Sequence, residues 1–268
     1  EIASCLVGSE MCIRDRDHTV AQADAMQKLT PMFLLSYKKD EWIFRAFHKR
    51  IFRAPTLNDL YYTLVGNTKL NPEYTSQWDA GIDYKGKRFH FAVDGYYNHI
   101  DDKIVAIPMK CQFRWSMVNF GKVKSYGASF SGGYNQDWGK FSLAANANYT
   151  YQIDKDYTMP SDPEYKNYIP YSPMHSGSVI LDLGYDSYSL CTSFLYTGER
   201  FALVSNNADD LLGDWYTIDL KLNKRFKIGK YVLQTTLECN NLTDSRHEVV
   251  KRYPMPGRNW KCTVKFEL

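Results

Sequence analysis

The sequence predicts an all-β protein, an antiparallel transmembrane β-barrel with about eleven strands present. Three observations carry that prediction. From Trp260 the chain alternates to its last residue, with Trp260, Cys262, Val264, Phe266 and Leu268 on one side and Lys261, Thr263, Lys265 and Glu267 on the other. A period of two is a strand with one apolar and one polar face. Segments with the same alternation recur back to residue 31. The connections between them are short and long by turns, which is the habit of barrels in an outer membrane.

Taken in order, residues 31–38 and 41–50 form a tight pair around Lys39-Asp40, with the least clean facing in the chain. A long connection, 51–72, follows. The strand 73–85 sets Trp78, Ala80, Ile82 and Tyr84 against Gln77, Asp79, Gly81 and Asp83. Lys85-Gly86-Lys87 turns the chain. The strand 88–100 sets Phe89, Phe91, Val93, Gly95 and Tyr97 against His90, Ala92, Asp94, Tyr96 and Asn98. The connection 101–122 is long enough to hold a small hairpin of its own, Ile104–Ile107 with Phe113–Val118.

Strands 123–136 and 140–152 meet at Asp137-Trp138-Gly139, and a polar loop 153–173 carries Pro160, Pro163, Pro170 and Pro173. Strands 174–185 and 188–199 meet at Tyr185-Asp186-Ser187. Loop 200–213 leads to strand 214–225, the turn Lys227-Ile228-Gly229, strand 230–241, loop 242–257 and the closing strand. All five tight turns fall on the side of the C-terminus and all five long loops on the other. Aromatics gather at both ends: Tyr84, Phe89, Tyr134, Trp138, Tyr185, Tyr188 and Tyr231 near the turns, and Tyr97, Tyr149, Tyr151, Tyr196, Tyr216 and Trp260 near the loops. These are two candidate interfacial belts.

Composition is consistent with this reading. Among 268 residues there are 21 Tyr, 14 Phe and 6 Trp, and mean hydropathy is −0.46. No run approaches the ~20 apolar residues of a spanning helix. The net charge is +3 with Lys and Arg scattered, so no nucleic-acid partner is implied. Cys5, Cys12, Cys111, Cys191, Cys239 and Cys262 show neither a disulfide framework nor zinc spacing. Residues 1–16 fit nothing that follows. Their run Ser4 to Asp15 is similar to a translated sequencing-adaptor segment, so the barrel is assigned to residues 17–268. Eleven is odd, whereas single-chain bacterial barrels close with even numbers. Half of a larger barrel is the simplest account.

Several blocks carry a resemblance. Phe52-Arg53-Ala54-Pro55-Thr56 precedes Asp59-Leu60-Tyr61-Tyr62. Leu70-Asn71-Pro72-Glu73 precedes Asp79 and Gly81, and Asn119-Phe120-Gly121 precedes Gly127. Asn240-Asn241-Leu242-Thr243-Asp244 and Tyr253-Pro254-Met255-Pro256-Gly257-Arg258 come last. In this order they resemble blocks of the TonB-dependent outer-membrane receptor family, nearest in look to its cobalamin and siderophore types. Asp79 stands where that family usually has Glu, and Leu268 ends a chain whose relatives favour Phe or Trp.

The resemblance implies the C-terminal half of a 22-stranded barrel in the outer membrane of a Gram-negative bacterium. It also implies an N-terminal plug in a preceding part, and active uptake of cobalamin, an iron–siderophore or haem. The partners implied are the TonB energy-transducing complex, acting through the plug, outer-membrane lipid, the metal chelate or cobalamin, and a surface lipoprotein. No cofactor is implied. The alternative is a passive porin or structural barrel without TonB coupling.

No catalytic constellation emerges. His175 and Ser176 are adjacent on a strand and so face opposite ways. Asp154, Asp156, Asp162 and Glu164, and Asp209, Asp210 and Asp214, lack a calcium-loop spacing. The substrate-contact candidates are the aromatic, cationic and amide side chains of the long loops: Arg53, Tyr61, Tyr62, Gln112, Arg114, Trp115, Tyr168, Tyr171, Arg200 and Arg252. Aromatic faces with a few polar anchors suit bulky planar or chelated ligands.

Overall fold

The computed structural model describes residues 6–7, 28–63, 65–108 and 115–267. Eleven long strands form one antiparallel sheet in which each pairs with the next: β1 (Thr30–Lys39), β2 (Trp42–Arg53), β3 (Glu73–Lys85), β4 (Phe89–Pro108), β5 (Trp115–Trp138), β6 (Phe141–Asp156), β7 (His175–Tyr185), β8 (Tyr188–Thr197), β9 (Trp215–Ile228), β10 (Tyr231–Asn240) and β11 (Asn259–Glu267). The sheet is open. Its first edge carries the short pair Leu6–Val7 against Pro31 and Thr30, and β1 does not pair with β11. Beyond Leu6–Val7, the expectation for residues 1–16 lies outside the described residues.

Register decides which side chains share a face, because directly paired residues point the same way. Phe44, Ile82, Val93 and Phe130 lie in one row across β2 to β5. Ile82, Val93 and Phe130 are each about 40% exposed although they are large and apolar. On the last strand Trp260 and Phe266, paired with Cys239 and Leu233, are 64% and 57% exposed. A sheet with one such face everywhere needs an apolar solvent on that side.

The other face holds the mid-sheet ion pairs. Arg45 of β2 bonds both Asp83 of β3 and Asp94 of β4, and Glu238 pairs with Lys221 at 3.3 Å and Lys261 at 3.6 Å. Gly81 lies in register between Arg45 and Asp94, and a Cβ there would come within 2.0 Å of Asp94 Oδ1. Ile180 and Leu195 are apolar exceptions on this polar face, 40% and 45% exposed.

The turns sit one to two residues from where alternation placed several of them. Asp40, Gly139, Asp186 and Gly229 each open a two-residue turn with φ between 51° and 63°. Aspartate tolerates that left-handed region better than most side chains, and glycine freely.

The connection 101–122 is the largest correction. It is not a loop with a separate hairpin: β4 and β5 run on through it as one ladder, Lys103 facing Phe120 and Pro108 facing Trp115. Ile100, Phe120, Val123 and Ile169 bury one another there, with Ile104 also buried beside them in the ladder. That small apolar core replaces lipid as the reason for the extension to stay ordered. The connection 51–72 also holds a helix, α1 (Leu57–Tyr61), started by a capping box in which Thr56 accepts from Asp59 N–H at 3.1 Å and Asp59 accepts from Thr56 N–H at 2.9 Å.

Candidate functional site

The long loops converge at the end of the sheet opposite the tight turns. Three of the ten candidate residues meet there. Trp115, Tyr171 and Arg200 line a cleft of about 410 Å³, with Trp215, Pro170 and Val249 among its other walls. Five segments supply it: the far end of the β4–β5 ribbon, loop 157–174, the chain from Thr197 to Arg200, the start of β9 at Trp215, and the hairpin Glu248–Val250 with Tyr253–Pro254. Trp115 and Tyr171 rings lie 5.6 Å apart at 33°. Trp215, the first residue of β9 and on the polar face, stacks on His247 at 4.2 Å and 19°. Alternation marked Tyr216 for its apolar face and passed over Trp215. The signal available was a tryptophan at the loop end of a strand with polar-face parity.

Arg200 is buried, 4% exposed, and both its terminal nitrogens are engaged. Nη2 donates to Glu248 O at 2.6 Å and Val249 O at 3.1 Å, and Nη1 to Gly213 O at 3.4 Å and Gly198 O at 3.5 Å. Burial pulls its guanidinium pKa down while Tyr171 opposes that, and burial pushes the Tyr171 phenol up. The guanidinium thus ties the two ends of the β8–β9 connection to the hairpin at residues 248–254. Lys251 is equally committed, donating to Asp210 Oδ1 at 2.8 Å and Asp209 O at 2.6 Å. The cleft is walled by rings and aliphatic groups, and these neighbouring cations are engaged by protein acceptors.

The other candidates lie apart. Arg53 pairs with Asp59 at 3.2 Å and Glu73 at 3.6 Å, holding α1 against the start of β3. Tyr61 and Tyr62 follow on α1, 48% and 63% exposed. Tyr168 bridges to Lys155 and stacks on Phe201 at 6.1 Å. Arg252 is exposed at the hairpin turn, with φ 68° and its N–H donating to Glu248 Oε2 at 2.7 Å. Gln112 and Arg114 lie outside the described residues. His175 accepts or donates to Tyr149 OH at 2.7 Å on the apolar face, and Ser176 points the other way.

A larger depression, about 760 Å³, is elsewhere. It lies in the apolar wall where Ala46, Ala80 and Gly95 meet in register below His48, Trp78 and Tyr97. It faces away from the loop mouth and is not the candidate site.

The blocks that carried the family resemblance are joints of this loop cluster. Asn71 N–H donates to Asn119 Oδ1 at 2.8 Å, and Asn119 Nδ2 donates back to Asn71 O at 3.1 Å and on to Asp102 O at 2.7 Å. Glu73 accepts from Ile104 N–H at 3.0 Å. Asn241 N–H donates to Asp219 at 2.7 Å, its amide spans Ser245 and Pro256, and Asp244 accepts from Arg258 N–H at 2.8 Å.

Comparison with known proteins agrees with the fold. The chain is 23% identical over 220 residues to the vitamin B12 transporter BtuB of Vibrio vulnificus (strain YJ016), a match covering 80% of this chain and 33% of that protein. It therefore spans about a third of the length of that curated relative. Among solved structures, the copper transporter OprC superposes with a TM-score of 0.66 at 16% identity, covering 90% of this chain and 40% of that one. BauA, the ferric preacinetobactin receptor from Acinetobacter baumannii, superposes at 0.68 and 12% identity, covering 91% and 37%. The family model for the TonB-dependent receptor-like β-barrel matches residues 14–242, and the chain belongs to that family.

Proposed function

We propose that this chain is the C-terminal half of an outer-membrane receptor that takes up a bulky, largely uncharged chelate of the cobalamin kind, with energy supplied through TonB. The observation that carries the reading is the cleft at the loop mouth. Trp115, Tyr171 and Trp215 offer ring faces, while Arg200 and Lys251 have their charges engaged by protein acceptors. Stacking on such faces favours planar or ring-edged ligands, and cations already engaged by protein acceptors give little to an anionic carboxylate chelate. The likeness to a vitamin B12 transporter supports the same class. A cleft of about 410 Å³ holds one edge of such a ligand, the remainder resting on the missing half of the barrel and on the plug.

The test is uptake by the receptor expressed from its full gene in cells with and without TonB. Labelled cobalamin is expected to enter only when TonB is present, and ferric citrate not at all. TonB-independent entry of any small solute would move the reading to the passive porin. Uptake of an anionic ferric chelate in preference to cobalamin would remove the substrate class.

A further inference from the structure

We infer that the polar wall of β5 to β8 is the track along which the ligand leaves the cleft and travels toward the turns, and that it suits an uncharged ligand rich in amide and hydroxyl groups. The inference rests on the proposed receptor function and adds the route to it.

Strand register draws the track. Ser129 pairs with Thr150, Thr150 with Ser176 and Ser176 with Thr197, so four consecutive strands set a hydroxyl in one row. The row lies on the polar face, because Arg45 pairs with Gly81, Gly81 with Asp94 and Asp94 with Ser129. At its other end Thr197 pairs with Trp215, and both line the cleft. The track therefore starts at the cleft wall. Two residues nearer the turns, Ser131, Asn148 and Ser178 continue it, and beyond them come Asn146 and Ser193. Three such rows cover about 14 Å of wall, at ~3.4 Å per residue.

Two features set this wall apart. The first is charge. On β5 to β8 the three rows carry no acid or base, while the same rows continued across β2 to β4 carry Arg45, Asp83, Asp94 and Lys85. On the far side stands the Lys221–Glu238–Lys261 cluster. Acids mark the ends of the track: Asp154 in the row of Ser125 toward the loops, and Asp182 in the row of Cys191 toward the turns.

The second feature is unused hydrogen-bonding capacity. Arg45, Asp83 and Asp94 are bonded to one another. Among the described residues, the side chains of Ser129, Ser131, Asn148, Thr150, Ser176 and Ser178 bond no other residue. Hydroxyls and amides donate and accept alike, so each can hand a neutral amide of the ligand to the next. Passage needs many weak sites in preference to one strong one. Ile180 and Leu195, exposed within these rows, offer apolar contact to the ring edges of the same ligand.

The experiment uses the receptor expressed from its full gene. Labelled cobalamin binding is measured on de-energised cells and uptake on energised ones. Ser131→Trp and Ser178→Trp narrow the track, and Thr263→Trp places the same ring on the charged wall of β11. The expected result is uptake lowered at least about tenfold in the two track variants, with binding within about twofold of the parent and Thr263→Trp close to the parent in both. Ser131→Asn and Ser178→Asn keep an uncharged donor and acceptor and should keep uptake. Binding also reports that each variant is folded at the surface. If a Trp variant is not, Ser131→Leu and Ser178→Leu decide instead, with about threefold or more loss of uptake expected. Full uptake by the track variants overturns the track and leaves the receptor reading intact, as does an equal loss in Thr263→Trp. Loss of binding together with uptake in a displayed variant also overturns it, by placing these residues in the cleft's own site. No TonB-dependent uptake by the parent overturns the receptor reading, and the track with it.

Discussion

Asn71 and Asn119, 48 residues apart, hold each other by two hydrogen bonds, at 2.8 and 3.1 Å. One bond uses the main chain of the segment entering β3 and the side chain on β5. The second reverses the direction at the same pair. The amide of Asn119 also reaches Asp102 O, so a single side chain closes the loop before β3 onto the β4–β5 ribbon.

Replacing Asn119 with Ala should therefore loosen two connections at once. The expected cost is about 0.5–1.5 kcal/mol, because main-chain groups of Asn71 and Asp102 exchange their partner for water. Amide hydrogen exchange should rise around residues 71–73 and 102–104, with β9 to β11 unchanged. Unaltered exchange in those two segments would show that the asparagine pair is incidental.

Arg200→Met should weaken ligand binding without removing any ligand contact. Four carbonyls lose a guanidinium donor, and the hairpin 248–254 loses its tie to the strand pair at Arg200–Phe201. The loss should be about tenfold or more, at ~1.5–3 kcal/mol for a hydrogen bond to a charged group. Binding assays paired with proteolysis at residues 248–254 check it. A variant that binds weakly while the hairpin stays protected would instead place the guanidinium against the ligand.

Trp115→Ala and Trp215→Ala should each cost about five- to tenfold in affinity, since a stacked ring contributes ~0.5–1.5 kcal/mol beyond its buried area. Arg252→Gln should change affinity less than twofold, and binding should vary little between low and high salt. Titration of labelled cobalamin checks all three. A steep salt dependence would mean that charge, and not stacking, dominates the cleft.

Gly81→Ala should destabilise the polar wall by about 1–3 kcal/mol, an overpacking penalty. The new Cβ would press on Asp94, which Arg45 holds together with Asp83. Asp94→Ala in the same chain should recover part of the loss. Urea unfolding of the two single variants and the double variant checks this, and strict additivity would refute the proposed contact.

The phenol of Tyr171 gives a pH dependence. Burial raises its pKa, so the folded loops favour the neutral ring. A folded-state value above the unfolded one, ~10, gives stability that is complete below that pH and lost as pH rises through the higher folded value. Trp115 fluorescence should stay constant through neutral and mildly alkaline solution and change only above pH ~10. In Tyr171→Phe that late transition should vanish.

The sequence by itself determined the strand count, the two faces and the side on which the loops lie. Each of these follows from alternation over a dozen neighbouring residues, which needs no knowledge of distant contacts. The closing strand shows it: Trp260, Val264 and Phe266 are exposed on the face that alternation assigned to them. The blocks around Arg53, Asn71, Asn119 and Asn241 were legible as a family pattern, although their work as joints between loops was not.

Only the tertiary structure decided which loop residues meet. Trp115 and Trp215 are 100 positions apart in sequence and line one cleft because strand ends and loops from across the sheet fold together at that end. Arg200 looks like a ligand contact in sequence and is a buried tie in space. Period and turn chemistry are local, whereas register and loop packing are set by hydrogen bonds between segments far apart, and these exist only once the sheet has formed.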